Sequence, residues 1–118
     1  MSYIQSNNYE EVEEELDQAI YLNPKFTEGY HYLGLLYFQR EDYDGAIGQW
    51  DKILEIESNF YEKYIVLNNL GVVYNKKEMP DKALEYFVQV LQLAPEGSPI
   101  IEEIEKEIYN IYRDNLDK

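Results

Sequence analysis

The sequence repeats itself at a fixed distance, and this feature constrains the fold more than any other. Four pairs of identical or similar residues have numbers that differ by 37: Gly34 and Gly71, Tyr37 and Tyr74, Ala46 and Ala83, Trp50 and Phe87. A shift of 34 instead pairs earlier residues with these, such as Leu16 with Trp50. A period of this size is typical of proteins that stack copies of one small unit. Three inserted residues near 61–63 would account for the difference between the two spacings.

Each unit is predicted to be helical. Apolar residues recur at three- and four-residue spacing along most of the chain, which indicates amphipathic helices, and no stretch alternates as a strand would. Helix-breaking pairs such as Asn23-Pro24 and Met79-Pro80 separate the periodic segments. We therefore predict an all-α fold with six helices, over residues 9–22, 27–40, 43–56, 60–77, 80–92 and 99–116.

The helices are predicted to pair into hairpins within a single domain. Residues 1–26 form a partial repeat that consists mainly of its second helix, and residues 27–60 form a complete repeat. Residues 61–97 form another repeat, with the three-residue insertion lengthening its first helix at the start. Residues 98–118 are predicted to be a helix that caps the array.

The residues at the repeated positions resemble the tetratricopeptide repeat family. Those that carry the resemblance are Tyr30, Leu33, Gly34, Tyr37, Ala46, Trp50 and Ile53 in the first complete unit, and Leu67, Leu70, Gly71, Tyr74, Ala83, Phe87, Val90 and Pro95 in the second. The resemblance implies a right-handed α-α superhelix of about two and a half repeats. It also implies a non-enzymatic scaffold that binds a protein or peptide in a concave groove lined by the first helix of each unit.

The repeated glycines have a physical explanation of their own. A glycine inside a helix costs about 1 kcal/mol relative to alanine, so Gly34 and Gly71 predict a close approach to the second helix of the same unit. In the first unit we expect this contact near Ala46, with the Trp50 ring filling the layer between units. The same roles fall in the second unit to Ala83 and Phe87.

Carried over from the family position by position, the groove residues are His31, Tyr32, Leu35, Phe38, Asn68, Asn69, Val72 and Asn75. The asparagines can donate and accept hydrogen bonds, which suits the backbone of a bound peptide. The aromatic residues offer the kind of surface that anchors binding. Leu35 and Val72 could equally be explained by packing against a neighbouring helix.

Charge and composition restrict the partner. The chain has 24 acidic and 10 basic residues, for a formal net charge of −14, which disfavours nucleic acid and anionic lipid and favours a basic or neutral protein partner. No apolar run approaches the roughly 20 residues that span a bilayer, so membrane insertion is not expected. With no cysteine and one histidine, we expect no metal, no cofactor and no catalytic site, and a cytoplasmic location.

The two ends of the chain raise separate questions. Most of a first helix is missing before residue 9, so the sequence is either a fragment or degenerate edge of an array, or a second chain covers the open N-terminal face and produces a homo-oligomer. At the other end, Ile104 takes the position of Leu33 and Glu105 takes the glycine position. A charge at that position suits a cap, whose outer face is expected to be polar through Glu102, Glu103, Glu105 and Lys106.

Overall fold

The computed structural model describes residues 9–56 and 63–116, and those two ranges contain six α-helices and no strand. The helices are α1 (Tyr9–Leu22), α2 (Thr27–Gln39), α3 (Tyr43–Ile56), α4 (Lys63–Lys76), α5 (Pro80–Leu93) and α6 (Pro99–Asn115). The prediction of an all-α helical-repeat fold is confirmed. Helix ends agree with the predicted ones to within one residue, except at the start of α4. There the predicted residues 60–62, and with them most of the proposed insertion, lie outside the described residues.

The chain divides into two compact units, Met1–Ser58 and Asn59–Lys118. In the first unit, α2 packs against both α1 and α3. In the second unit, α5 packs against both α4 and α6. The finer division into a partial repeat, two full repeats and a cap, all within a single domain, stays a prediction.

The turns inside the two hairpins have the same backbone conformation. Glu41 and Glu78 both adopt a left-handed conformation with φ of 61°. The peptide N–H that follows each glutamate donates to a carbonyl near the end of the preceding helix, to Tyr37 at 2.8 Å and to Tyr74 at 2.9 Å. This six-to-one bond ends a helix and reverses the chain. The repeat therefore extends from the sequence to the backbone geometry.

Each hairpin is closed by a glycine that lies against an aromatic ring. A Cβ atom built on Gly34 would overlap the indole of Trp50, and one built on Gly71 would lie 2.5 Å from Cε1 of Phe87. The close contact predicted for these glycines is present. Each glycine meets the ring of Trp50 or Phe87 on the second helix of its own hairpin, one turn beyond Ala46 and Ala83. The missing side chain leaves space for that ring.

The buried core is apolar and belongs mostly to the hairpins. In the first unit it consists of Leu33, Leu36, Ala46, Trp50 and Ile53. In the second it consists of Val66, Leu67, Leu70, Val73, Ala83, Phe87, Val90, Ile104 and Ile111. Each large buried side chain contributes about 1.5–3 kcal/mol through the hydrophobic effect. No residue of α1 is fully buried.

A polar cluster connects α1 to α2. The Tyr37 hydroxyl donates to Oε2 of Glu13 at 2.6 Å, and Nη1 of Arg40 donates to Oε1 of the same carboxylate at 3.2 Å. The Arg40 guanidinium also lies 5.4 Å from the centre of the Tyr9 ring. The hydrogen bond to Glu13, followed by burial, raises the pKa of Tyr37 to about 12, because losing the proton would place two negative groups in contact.

The contact between Gly34 and the indole generates a first prediction. The substitution Gly34→Ala should destabilise the protein by about 1–3 kcal/mol, because the added methyl group overlaps Trp50. Gly48 is the matched control, since it lies within α3 and a methyl group there would meet nothing within 4 Å. Gly48→Ala should raise stability by about 0.5–1 kcal/mol. Urea denaturation of both variants measures the difference, and equal effects would contradict the packing described.

The Tyr37 hydroxyl generates a second prediction. The pKa of this hydroxyl in the folded protein, about 12, exceeds the ordinary value of 10.0. The stabilisation that the hydroxyl gives the folded state is therefore complete below pH 10 and is lost as the pH rises from 10 to 12. Tyr37→Phe should lower the free energy of unfolding by about 1 kcal/mol at neutral pH. The difference in stability between the variant and the wild type should disappear between pH 10 and 12. Urea denaturation across the pH range measures it. Tyr21→Phe, on a ring that is 83% exposed, is the control, and a gap that persists at high pH would refute the assignment.

Candidate functional site

A groove of about 640 Å³ lies between α4 and α6 in the second unit. Nine residues line it: Asn68, Val72, Asn75 and Lys76 from α4, and Glu103, Ile104, Lys106, Glu107 and Asn110 from α6. Three of the residues predicted from the sequence, Asn68, Val72 and Asn75, therefore come together at this groove.

The groove is formed by one mostly polar stripe on each helix. On α4, Asn68, Val72 and Asn75 follow the spacing i, i+4, i+7, which places them on one face of the helix. On α6, the residues Glu103, Glu107 and Asn110 have the same spacing. On α4 the buried core residues lie on the side opposite the stripe, whereas on α6 the buried residues Ile104 and Ile111 lie beside it, and Ile104 reaches the groove.

The floor of the groove is apolar and its rim is polar. Ile104 is fully buried and Val72 is half-buried, whereas Asn75 is exposed. The two lysines and two glutamates that line the groove balance in formal charge, although the whole chain carries −14. The amides, the balanced charges and the apolar floor together suit a polypeptide ligand with both polar and apolar groups.

The α6 side of this groove was not predicted from the sequence. Glu103 and Lys106 were assigned to the polar outer face of a cap, but both line the groove. The repeat register contains the signal that would have found them. Ile104 occupies the repeat position of Leu33. By the same alignment, Glu103 occupies the repeat position of Tyr32, which is a predicted groove residue.

Asn69, also predicted as a groove residue, lies on α4 beside the polar stripe. It is half-buried and is not one of the nine residues that line the groove. Its role as a binding residue stays a prediction.

The remaining predicted site residues lie on α2 in the first unit. Tyr32 is 51% exposed, and the ring of His31 meets it edge-on at 5.8 Å. Burial lowers the pKa of His31, because the charged imidazole loses hydration. Leu35 is half-buried. Phe38 packs against the Tyr43 ring at 5.6 Å and the Trp50 ring at 6.3 Å, so part of this side chain is used in holding α2 on α3.

Two further features bear on the chemistry of the chain. Within residues 9–56 and 63–116, no group of three acidic, histidine or cysteine side chains has the geometry to hold a metal ion. No helix in the described part of the chain combines the length and the apolar character needed to cross a bilayer.

Comparison with known proteins adds independent evidence. Models of the tetratricopeptide repeat match residues 1–26, 27–60 and 64–96, and the last two matches leave residues 61–63 between them. The Lipoprotein NlpI homolog of Haemophilus influenzae (strain ATCC 51907 / DSM 11121 / KW20 / Rd) is 41% identical over 46 residues. That match covers 39% of this chain and only 15% of the lipoprotein.

Two known structures have a similar fold. The N-terminal domain of stress-induced protein-1 (STI-1) from C. elegans superimposes with a TM-score of 0.70 at 19% identity, covering 81% of this chain and 75% of that domain. The crystal structure of MamA superimposes with a TM-score of 0.60 at 31% identity, covering 68% of this chain and 45% of MamA.

The matched repeat models together span most of the chain. Proteins with these repeats generally mediate protein–protein interactions and are typically not enzymes. On this evidence, the chain belongs to the tetratricopeptide repeat family.

Proposed function

We propose that this chain is a non-enzymatic interaction module that binds an extended segment of a partner protein in the groove between α4 and α6. The observation that carries the proposal is the set of three asparagines, Asn68, Asn75 and Asn110, on the two sides of one groove with an apolar floor. Groups of this kind recognise a polypeptide without requiring a particular charged side chain.

The amides are spaced to meet a peptide backbone. Asn68 and Asn75 are seven residues apart on α4, which separates them by about 10 Å along the helix axis. An extended chain covers that distance in about three residues at 3.3 Å each. Each amide side chain can donate one hydrogen bond and accept another. The pair on α4 therefore matches two backbone positions of one bound strand, and Asn110 faces the same groove from α6.

The charges favour a basic or neutral partner. Glu103 and Glu107 on α6 can pair with basic side chains of a bound segment, and the net charge of −14 attracts cationic partners from a distance. The two lysines in the groove prevent it from being uniformly acidic, so an uncharged segment is also accommodated. An acidic segment is disfavoured because the field of the whole chain opposes its approach.

The predicted site residues on α2 form a separate surface in the first unit. Tyr32 is half exposed, and His31 and Leu35 are half-buried beside it, so together they offer an aromatic and apolar surface. Their participation in binding, like that of Phe38 and of Asn69 on α4, stays a prediction from the family register. A cytoplasmic location also stays a prediction.

Self-association through the N-terminal face is the alternative function. In its favour, α1 has no fully buried residue, and Tyr21 and Leu22 near its end are 83% and 79% exposed. Peptide binding accounts for the asparagines and charged side chains that line the groove, and self-association through α1 does not. We therefore place peptide binding first.

Binding of fluorescent peptides in short basic, neutral and acidic series tests the groove. Replacing Asn68, Asn75 and Asn110 by alanine removes three amides, each worth about 1 kcal/mol, so the affinity for basic and neutral peptides should fall about 100-fold. Fluorescence anisotropy measures the affinities, and circular dichroism confirms that the variant is folded. Gln92→Ala, at an exposed position of α5 outside the groove, is the control and should bind as the wild type does.

Three results would refute this function. One is unchanged peptide affinity in the triple variant. Another is an equal loss in the Gln92→Ala control. The third is a preference for acidic peptides, which would contradict the charge argument even if the groove were the site.

A further inference from the structure

The outer face of α6 is exposed and partly apolar. Seven residues at three- and four-residue spacing form it, and we call them the α6 outer face: Glu102, Glu105, Lys106, Tyr109, Tyr112, Arg113 and Leu116. Tyr109, Tyr112 and Leu116 are 65%, 60% and 77% exposed. The sequence had predicted a polar outer surface for this helix, but only its first half is polar. Three large apolar side chains on one helix face indicate a contact surface.

The centre of this face is Tyr109. The Arg113 guanidinium lies 5.9 Å from the centre of its ring. Next to the ring is a shallow depression of about 330 Å³, lined also by Glu102, Glu105, Lys106 and Asn110. The depression adjoins the peptide groove and shares Lys106 and Asn110 with it, whereas Glu103 and Glu107 line the groove alone.

A second helix of the family type does not fit on this face. In the two hairpins, Gly34 and Gly71 leave no space between the helix backbone and an aromatic ring. Glu105 stands at the same register position on α6 and is exposed. A ring seated as Trp50 is would displace or bury this carboxylate, at a large desolvation cost. The face therefore calls for a different kind of partner.

Charge distinguishes this face from the exposed surface of α1. The α6 outer face carries two acids, Glu102 and Glu105, and two bases, Lys106 and Arg113, so its formal charge is zero. Residues 9–22 of α1 carry six acids and no base: Glu10, Glu11, Glu13, Glu14, Glu15 and Asp17. Two copies of a chain at −14 repel each other strongly if they approach through α1, and much less if they approach through α6.

We propose that the α6 outer face binds a second copy of this chain, with the two α6 helices antiparallel about a twofold axis near Tyr109. Glu102 and Leu116 are each seven residues from Tyr109. With Tyr109 on the twofold axis, Glu102 of one copy therefore lies beside Leu116 of the other, and Glu105 lies beside Arg113. This arrangement pairs acids with a base at both ends and opposes the helix dipoles favourably. The tyrosine rings meet at the centre, beside the two depressions.

The area available makes this dimer weak. Two half-exposed tyrosines and one leucine offer on the order of 400 Å² per copy, or about 800 Å² in the pair. That lies below the roughly 1,200 Å² of stable interfaces. A dissociation constant of about 10–500 μM is expected, so the chain should be monomeric when dilute and dimeric when concentrated.

Sedimentation equilibrium from about 10 μM to about 1 mM tests the proposal. The wild type should pass from monomer to dimer across this range. Tyr109→Ser combined with Tyr112→Ser should weaken the dimer at least tenfold, because it removes the central rings. Tyr21→Ser combined with Leu22→Ser is the matched control, since it removes two exposed apolar residues from α1 and should leave the dimer unchanged. Circular dichroism confirms that both variants fold.

Charge reversal tests the antiparallel arrangement. Glu102→Lys with Glu105→Lys should weaken the dimer, and the further change Arg113→Glu should restore it. Glu105 and Arg113 are about 12 Å apart along their own helix, so restoration must act between two copies. A wild type that stays monomeric at every concentration overturns the proposal, as does a dimer lost only in the α1 variant. A charge swap that fails to restore association overturns the antiparallel pairing.

Discussion

The contact between a helical glycine and an aromatic ring determines how close the two helices of each hairpin can come. Trp50 and Phe87 are almost completely buried against Gly34 and Gly71. The indole Nε1 of Trp50 is buried there without a hydrogen-bond partner, a cost of about 1–3 kcal/mol that the phenyl ring of Phe87 avoids. With that approach fixed, the remaining faces of α2 and α4 point away from the hairpin core.

The faces that are left over differ in chemistry. Helix α4 presents a stripe of amides to the groove, and α6 presents charged and amide groups to the same groove but tyrosines on its outer face. Helix α1 carries most of its charge as unopposed carboxylates. Only Glu13 among them is held by both Tyr37 and Arg40. Two surfaces of the second unit, the groove and the α6 outer face, are therefore neutral and suited to contact, whereas the acidic first helix resists contact.

Much of the fold, and three of the nine residues that line the groove, could be predicted from the sequence. Helix ends followed from local periodicity and breakers, and the register of Gly34 and Gly71 indicated a close contact. The same register placed Asn68, Val72 and Asn75 at the groove. On α6 the same register placed Glu105 at the glycine position, which indicated a cap and not a groove wall. For that reason the other wall of the groove was missed.

The sequence by itself determined which residues share a helix face, since helical periodicity is local and needs no knowledge of neighbours. Only the tertiary structure decided what covers each face. Phe38 and Tyr32 are both predicted from the sequence as groove residues. In the structure, Phe38 packs on Tyr43 and Trp50, whereas Tyr32 stays half exposed. Likewise, Glu103 lines a groove and Glu105 does not. The physical reason is that burial depends on the approach of a second element, which is a contact between residues distant in the chain.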